Sequence, residues 1–295
     1  MKRRIYYFSG TGNSMRAARV IASALGDTEI ISMRTDPKDY PATDCDVVGF
    51  VFPVYHWTMP EHAEKFVEGL SVNPNAYVFA VAMPSFILGI ALERLAELLA
   101  PKGVTLDYGN LVHSVANYVI VYPPFPSPKL RVPRTEKKLK KIAEEIRAGK
   151  KRDYPRASRL IKWRMHQFMD PYLELQVYAD NPFTVSDDCI SCGLCTRVCP
   201  CNNLTMEEGK PVFHHHCANC MACVVNCPKR AIGYEINEGD RKLLDASNSK
   251  TPLVKIMGLP KGRKLYRNPY ITSSDLCKNE EQVSWQNEEK QKKRS

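Results

Sequence analysis

The chain is 295 residues long with 44% hydrophobic content, enough for one full core and a smaller second unit, so two domains are expected. Its start, MKRRIYYFSG, reaches glycine before any apolar run of signal-peptide length, and no window approaches the about 18 apolar residues of a membrane span, which reads as a cytoplasmic protein. Eleven cysteines without an export signal point to thiolates kept reduced for metal rather than to disulfides, and the formal charge of +10 raises nucleic acid as a partner to be weighed.

RIYYF (4–8) is a short β-rich run, and SMRAARVIASALG (14–26) carries apolar residues at helical spacing with Gly26 at its end. TEIISM follows as a second strand. DVVGFVF (46–52) and AYVFAVAM (76–83) are near-continuous apolar runs of the kind buried on both faces of a parallel sheet. EHAEKFVEGL and GIALERLAELLA (89–100) read as helices, VTLDYGNLVHSV (104–115) as the fifth strand region and about 135–148 as the closing helix. Residues 1–150 thus form an α/β domain. From Lys151 the chain is amphipathic and broken by Pro171, so 151–182 are expected to be a helical linker whose aromatic and methionine stripe packs against a domain. Residues 183–236 are a compact cysteine-rich module. Residues 237–295 read as a basic, irregular tail: GLPKGRKLYRNPYIT (258–272) is too basic and turn-rich for a core, and the last 17 residues are expected to be disordered.

Strand and helix alternate five times, which implies right-handed crossovers and a doubly wound five-stranded parallel sheet with helices on both faces. Ligands of such sheets bind beyond the carboxyl ends of the strands where strand order reverses. The loops 9–14, 53–60, 84–89 and 116–126 are therefore expected to share one crevice.

In the module, CISCGLCTRVCP (189–200) recurs as CANCMACVVNCP (217–228), offset by 28 residues at all four cysteines. This C-x2-C-x2-C-x3-C-P run is the ligand spacing of bacterial two-cluster ferredoxins, in which the fourth cysteine of each run serves the other cluster. By that rule Cys189, Cys192, Cys195 and Cys227 hold one 4Fe-4S centre, and Cys217, Cys220, Cys223 and Cys199 the second. Two zinc knuckles would leave the third cysteine and the closing Cys-Pro of each run unexplained. Cys45, Cys201 and Cys277 fall outside the pattern and read as packing or tail residues. The run His214–His216 beside Cys217 is either an exposed turn or a source of hydrogen bonds to the cluster ligands.

The stretch YYFSGTGNS (6–14) turns from strand into helix on two glycines. It lacks the lysine of a Walker loop, and Met15 stands where the dinucleotide fingerprint needs its third glycine. What remains in Ser9, Gly10, Thr11, Gly12, Asn13 and Ser14 is a set of hydroxyls and helix-start amides suited to a phosphomonoester dianion.

FSGTGNS after a first strand resembles the phosphate loop of flavodoxins, which bind FMN. Together with the two cysteine runs, the chain over about residues 1–236 resembles the flavodoxin-ferredoxin fusion proteins of anaerobic bacteria and archaea. The resemblance implies a flavodoxin-like FMN domain over 1–150, a small α+β ferredoxin-like module with two 4Fe-4S clusters over 183–236, and FMN as cofactor. It also implies an aromatic against the isoalloxazine ring from PVYHWTMP, with Tyr55 and Trp57 the candidates. PSFILG then places Ser85, Phe86 and Gly89 near the ring, Phe86 lacking the hydroxyl of the tyrosine often found there, and ANYVIVYPPF offers Asn117 and Tyr118 for polar contact.

With two oxidised centres adding about −4 and a phosphomonoester about −2, the loaded charge falls to about +4, and nucleic acid is no longer expected. The basic runs KKLKKIAEEIRAGKKR (137–152) and EEKQKKRS (288–295) then read as solvated faces or as docking for an acidic redox partner. Three functions stay open. One is intramolecular electron transfer from a ferredoxin-like redox protein through the clusters to FMN and an acceptor. Another is a flavin-dependent reductase of a small organic acceptor, with Tyr118 or Tyr122 donating a proton. The third is a redox sensor switched through the tail from 239.

Overall fold

The two apolar runs become adjacent strands because their side chains find cover on both sides. In the computed structural model, which describes residues 1–86, 89–163, 179–239 and 257–283, β3 (Val47–Pro53) and β4 (Tyr77–Met83) pair in parallel and are buried from Val47 to Phe52 and from Val78 to Met83. They join β1 (Arg3–Tyr7), β2 (Thr28–Ser32) and β5 (Tyr108–Leu111) in the parallel order β2-β1-β3-β4-β5. This is the flavodoxin-like order, whose direction reverses between β1 and β3. Helices α1 (Asn13–Leu25) and α4 (Pro128–Arg147) cover one face, where Ala17, Ile21, Leu139 and Ile142 pack on Ile5, Val51 and Val81. On the other face α2 (Glu61–Gly69) and α3 (Ala91–Leu99) bring Phe66, Val67, Leu92 and Leu95 against Tyr6, Phe50 and Ala80.

The strand order and helix alternation follow the reading from sequence, with three differences. Helix α4 starts at Pro128 rather than about Thr135, because a proline in the first turn forfeits no internal hydrogen bond. Strand β5 shortens to four residues, and its outer edge is covered by the chain returning after α4: Gly109 donates to the Arg152 carbonyl at 3.0 Å, and a Cβ on Gly109 would lie 2.5 Å from that of Tyr154. Within the expected linker, residues 164–178 with Pro171 lie outside the described residues.

The third difference concerns the expected irregular tail: residues 257–283 pack into the fold, while 240–256 and 284–295, with EEKQKKRS, lie outside the described residues. A sixth strand, β6 (Glu280–Val283), pairs antiparallel with β2, so Glu281 faces Ile30 across the ladder. A one-turn helix, Ser273–Leu276, precedes it, opened by a capping box in which Thr272 and Asp275 bond each other's backbone amides. Ile271, Leu276 and Val283 are buried against the α1 face, and the Arg19 guanidinium bonds Asp275 at 2.8 Å and Glu281 at 2.7 Å. Three apolar residues among many charges are too few to signal order in a sequence window, but here the receiving surface is α1 and the edge of β2.

The cysteine module shows its duplication in three dimensions. Each run leads into a five-residue helix, Leu194–Val198 and Ala222–Asn226, entered through a left-handed residue (Gly193, φ 63°; Met221, φ 62°) and left through an extended cysteine (Cys199, Cys227). Strand Phe183–Val185 pairs antiparallel with Ile232–Tyr234, and Leu204–Glu207 with Lys210–Phe213. The module is continuous with the sheet cores, since Cys199, Cys201 and Leu204 are buried with Phe8 and Phe52, and Val198 and Ala222 with Met15. Among the described residues no helix is long and apolar enough to cross a membrane.

Candidate functional site

At the carboxyl ends of β1, β3 and β4 the structure opens a cavity of about 320 Å³, within the range of small-molecule and cofactor pockets. All four loops expected to share a crevice contribute to it. Ser9, Gly10, Thr11, Asn13 and Ser14 line it from the first loop, Tyr55 and Trp57 from the second, Ser85 and Phe86 from the third, and Asn117 and Tyr118 from the fourth. Two named residues do not line it. Gly12 (φ 95°) caps α1 and lies beneath Ile271 and Asn268, while Gly89 sits behind the second loop.

The first loop folds on its own hydroxyl: Gly12 N–H donates to Ser9 Oγ at 3.1 Å. Helix α1 then starts at Asn13 with no side-chain cap and no acidic residue in its first turn, so its positive end is left for a ligand. Ser14 Oγ is buried there without a hydrogen-bond partner among the described residues. An orphaned hydroxyl at an uncapped helix start fits a phosphate group. Across the cavity, Asn117 Nδ2 donates to the Tyr266 carbonyl at 2.6 Å, which fixes the amide and leaves Asn117 Oδ1 as a buried acceptor with no donor among the described residues. The flavin ring system, which carries one N–H, fits that acceptor.

The second loop is a tight hairpin in which Tyr55 and Thr58 exchange backbone hydrogen bonds at 3.1 and 2.9 Å, with His56 (φ 47°) and Trp57 (φ 65°) at its tip. Two consecutive bulky residues with positive φ are strained, which directs attention to function. Gly89 supports the hairpin from behind: the Trp57 carbonyl accepts from Ile90 N–H at 2.7 Å, and a Cβ on Gly89 (φ 65°) would lie 1.9 Å from that oxygen. Gly89→Ala is therefore expected to destabilise the protein by about 1–3 kcal/mol and to displace the hairpin, seen as a lowered urea midpoint. Burial holds the His56 imidazole down to about 4, so it is neutral at pH 7, and its ring meets Tyr118 edge-on at 6.3 Å. At the mouth, Phe86 and Phe125 stack at 5.4 Å and are 50% and 54% exposed, with Tyr122 edge-on to Phe86.

Sequence reasoning passed over one part of the wall. Ala218, Asn219 and Cys220 of the cysteine module line the same cavity, together with His56, Ser114 and Val115. His56 lies inside the quoted loop, so its position was its signal. Nothing local ties 218–220 to residues two hundred positions earlier.

The cysteines of each expected set lie near one another. Cys189, Cys192, Cys195 and Cys227 line one small apolar hollow with Pro211 and Ile232. Cys217, Cys220, Cys223 and Cys199 lie within electrostatic reach of one another: burial pushes the Cys217, Cys220 and Cys223 thiols up, Cys220 to about 12, and the neighbouring thiolates add to the rise. Buried, mutually repelling thiols ionise only against a positive partner, which an iron core supplies. Backbone amides already point at sulfur, Asn203 at Cys199 (3.4 Å), Asn219 at Cys217 (3.3 Å) and Ala231 at Cys227 (3.3 Å), as cluster thiolates require. Among the described residues no three His, Cys, Asp or Glu side chains converge on a single-ion site. Cys201 does more than pack, since its thiol bonds Cys199 and holds that sulfur's pKa down. The histidines bond elsewhere: His214 Nε2 contacts Thr205 Oγ1 at 2.7 Å, and His215 Nδ1 contacts the fully buried Asp180 carboxylate at 2.8 Å.

No family model matches the chain, and no curated relative is found. Solved structures similar to it include a flavodoxin of Streptococcus pneumonia TIGR4, 15% identical over 50% of this chain and 99% of that one, with a TM-score of 0.36. The rubredoxin oxygen:oxidoreductase of Desulfovibrio gigas is 17% identical over 50% of this chain and 35% of its own, TM-score 0.36. An azoreductase of Bacillus anthracis str. Sterne is 9% identical over 50% and 97%, TM-score 0.31.

Proposed function

We propose that the chain is an iron-sulfur flavoprotein that passes electrons between a ferredoxin-like redox protein, two 4Fe-4S clusters and FMN. The observation that carries this reading is one cavity lined both by the uncapped loop Ser9–Ser14 and by the cysteine loop at Cys220. FMN exchanges one or two electrons and each cluster one, so a chain holding both collects electrons singly and delivers them singly or in pairs. In this reading Ser14 Oγ and the first amides of α1 hold the phosphate, Asn117 Oδ1 accepts from the ring, and Tyr55 and Trp57 pack against it. Cys192, exposed beside the exposed Ile190, brings the other centre to the surface for a redox partner.

The test is an anaerobic visible spectrum with iron, sulfide and FMN quantified per chain. About eight iron, about eight sulfide and one FMN are expected; zinc in place of iron, or no flavin, would overturn the proposal. Ser14→Ala, which removes one hydroxyl donor to a dianion, is expected to weaken FMN binding about tenfold or more.

A second reading, reduction of a small organic acceptor, is favoured by the half-exposed Phe86–Phe125 pair standing with Tyr122 at the cavity mouth. Saturable turnover of an organic compound by the cluster-loaded protein would select it, whereas reoxidation by redox proteins and non-specific dyes alone would select electron transfer. The sensor reading draws no support from residues 257–283, which are bonded into the fold.

A further inference from the structure

Gly10 invites a simple explanation, that a phosphate loop needs a flexible residue, and its backbone does not support it. Gly12 has a positive φ, but Gly10 is not among the glycines that do. What requires glycine at position 10 is contact. A Cβ there would lie 2.4 Å from the carbonyl oxygen of Cys220 and 2.7 Å from its Cβ, closer than real Cβ contacts come, and the facing oxygen belongs to backbone that has no side-chain freedom to yield. The cysteine loop is therefore seated directly on the first residues of the α1 entry loop. Next to Cys220, Asn219 is 6% exposed, holds a positive φ of 49°, and donates its backbone amide to Cys217 Sγ at 3.3 Å. Tyr55, part-buried, lines the same cavity and has the Cys220, Cys201 and Cys217 thiols within electrostatic reach. None of the other four ligands, Cys189, Cys192, Cys195 and Cys227, lines the cavity.

We infer that residues 218–220 of the cysteine module are part of the flavin-binding wall, that the centre held by Cys217, Cys220, Cys223 and Cys199 is the flavin's redox neighbour, and that Gly10 is the positioning residue that sets their separation. The inference rests on the FMN and cluster reading above. It assigns the two sets of cysteines different places in the electron path. The Cys192 set faces a partner, the Cys220 set faces the flavin, and a single electron crosses between neighbours, one oxidised as the other is reduced, with no bond made or broken.

The test uses the full chain, loaded with iron anaerobically and freed of FMN, to which FMN is then added. Asn219→Gly keeps the left-handed backbone and its amide bond to Cys217 Sγ, and removes the side chain, whose Oδ1 faces that sulfur at 3.9 Å, from the wall, so at equal iron per chain it is expected to weaken FMN binding about tenfold. Gly10→Ala is expected to weaken it at least as much. Visible circular dichroism beyond the flavin bands supplies an independent readout of each centre. In Cys192→Ala, which retains the Cys220 set, added FMN is expected to change the cluster spectrum; in Cys223→Ala, which retains the other set, it is expected to leave the spectrum unchanged. Wild-type affinity in both Asn219→Gly and Gly10→Ala, or a spectral response in Cys223→Ala equal to that in Cys192→Ala, would overturn the inference. Wild-type protein that takes up no iron or no FMN would instead overturn the reading on which it rests.

Discussion

Replacing Cys217 with alanine is expected to leave anaerobically prepared protein with about half of its iron and sulfide, because in the proposed reading each of the two crossed sets supplies four ligands to one centre. Burial, with the Cys220 and Cys199 thiols adding to it, raises the Cys217 pKa, and the Asn219 amide points at its sulfur. Without it, one iron loses its thiolate and the Asn219 amide loses its acceptor. Metal affinity in such a module is also folding free energy, so the variant is expected to unfold at lower denaturant than a Cys192→Ala variant, whose lost ligand is exposed. Cys45→Ala is the control. That thiol is buried in the core between β3 and the 40–45 loop, and its removal is expected to leave iron unchanged. Full iron content in Cys217→Ala, measured against protein by colorimetric assay, would remove this residue from the ligand set.

The second large effect is expected at Arg19. Its side chain is 7% exposed and bonds two carboxylates at once, Asp275 and Glu281, which are themselves 18% and 20% exposed. Arg19→Met removes the buried guanidinium that joins Asp275 to Glu281 and leaves Asp275 only the half-exposed Lys278 ammonium at 3.8 Å, at a cost of about 3 kcal/mol, the lower end for a broken buried pair. The released element is the segment 266–283. With it goes the fixing of Asn117 by the Tyr266 carbonyl and of Asn13 by the Tyr266 hydroxyl (2.9 Å) and Asn268 amide (3.1 Å). FMN affinity is therefore expected to fall although Arg19 does not line the cavity. The pH dependence has a definite sign. Burial alone would raise the Asp275 carboxyl, but bonds from Arg19 and from the Thr272 hydroxyl and amide hold it well below the usual carboxylate range. A depressed carboxyl contributes stability that is present above its unfolded value of about 4 and is lost as pH falls below it toward the folded value. The stability difference between wild type and Arg19→Met is thus expected to be constant from pH 7 to about 5 and to shrink below about 4. Hydrogen exchange of residues 266–283 is the measurement, and equal protection in the two proteins at pH 7 would show that the segment is held by other contacts.

The parts of this protein that were readable before the structure are those written within a few turns of chain. Near-continuous apolar runs at 46–52 and 76–83 announce strands covered on both sides, because no other arrangement hides every side chain of an extended segment. The spacing of the cysteine runs and the SGTGNS turn identify themselves in the same way, since ligands on one loop and amides at one helix start are neighbours in sequence before they are neighbours in space. Glycine was readable in kind but not in cause: Gly12 bends the backbone, Gly10 admits Cys220, and Gly89 admits the Trp57 carbonyl, three requirements that leave the same letter in the sequence.

From residue order alone come the doubly wound sheet, the four loops that meet at its carboxyl edge and the paired cysteine runs, because each depends on periodicity or spacing that the chain carries locally. The tertiary structure alone decided which surfaces meet: the cysteine loop seated on Gly10, Asn117 turned by Tyr266, and a charged C-terminal segment ordered on α1 and β2 through Arg19. Such contacts join residues 149 to 262 positions apart. Their free energy exists only when both surfaces are formed, so neither segment shows it by itself.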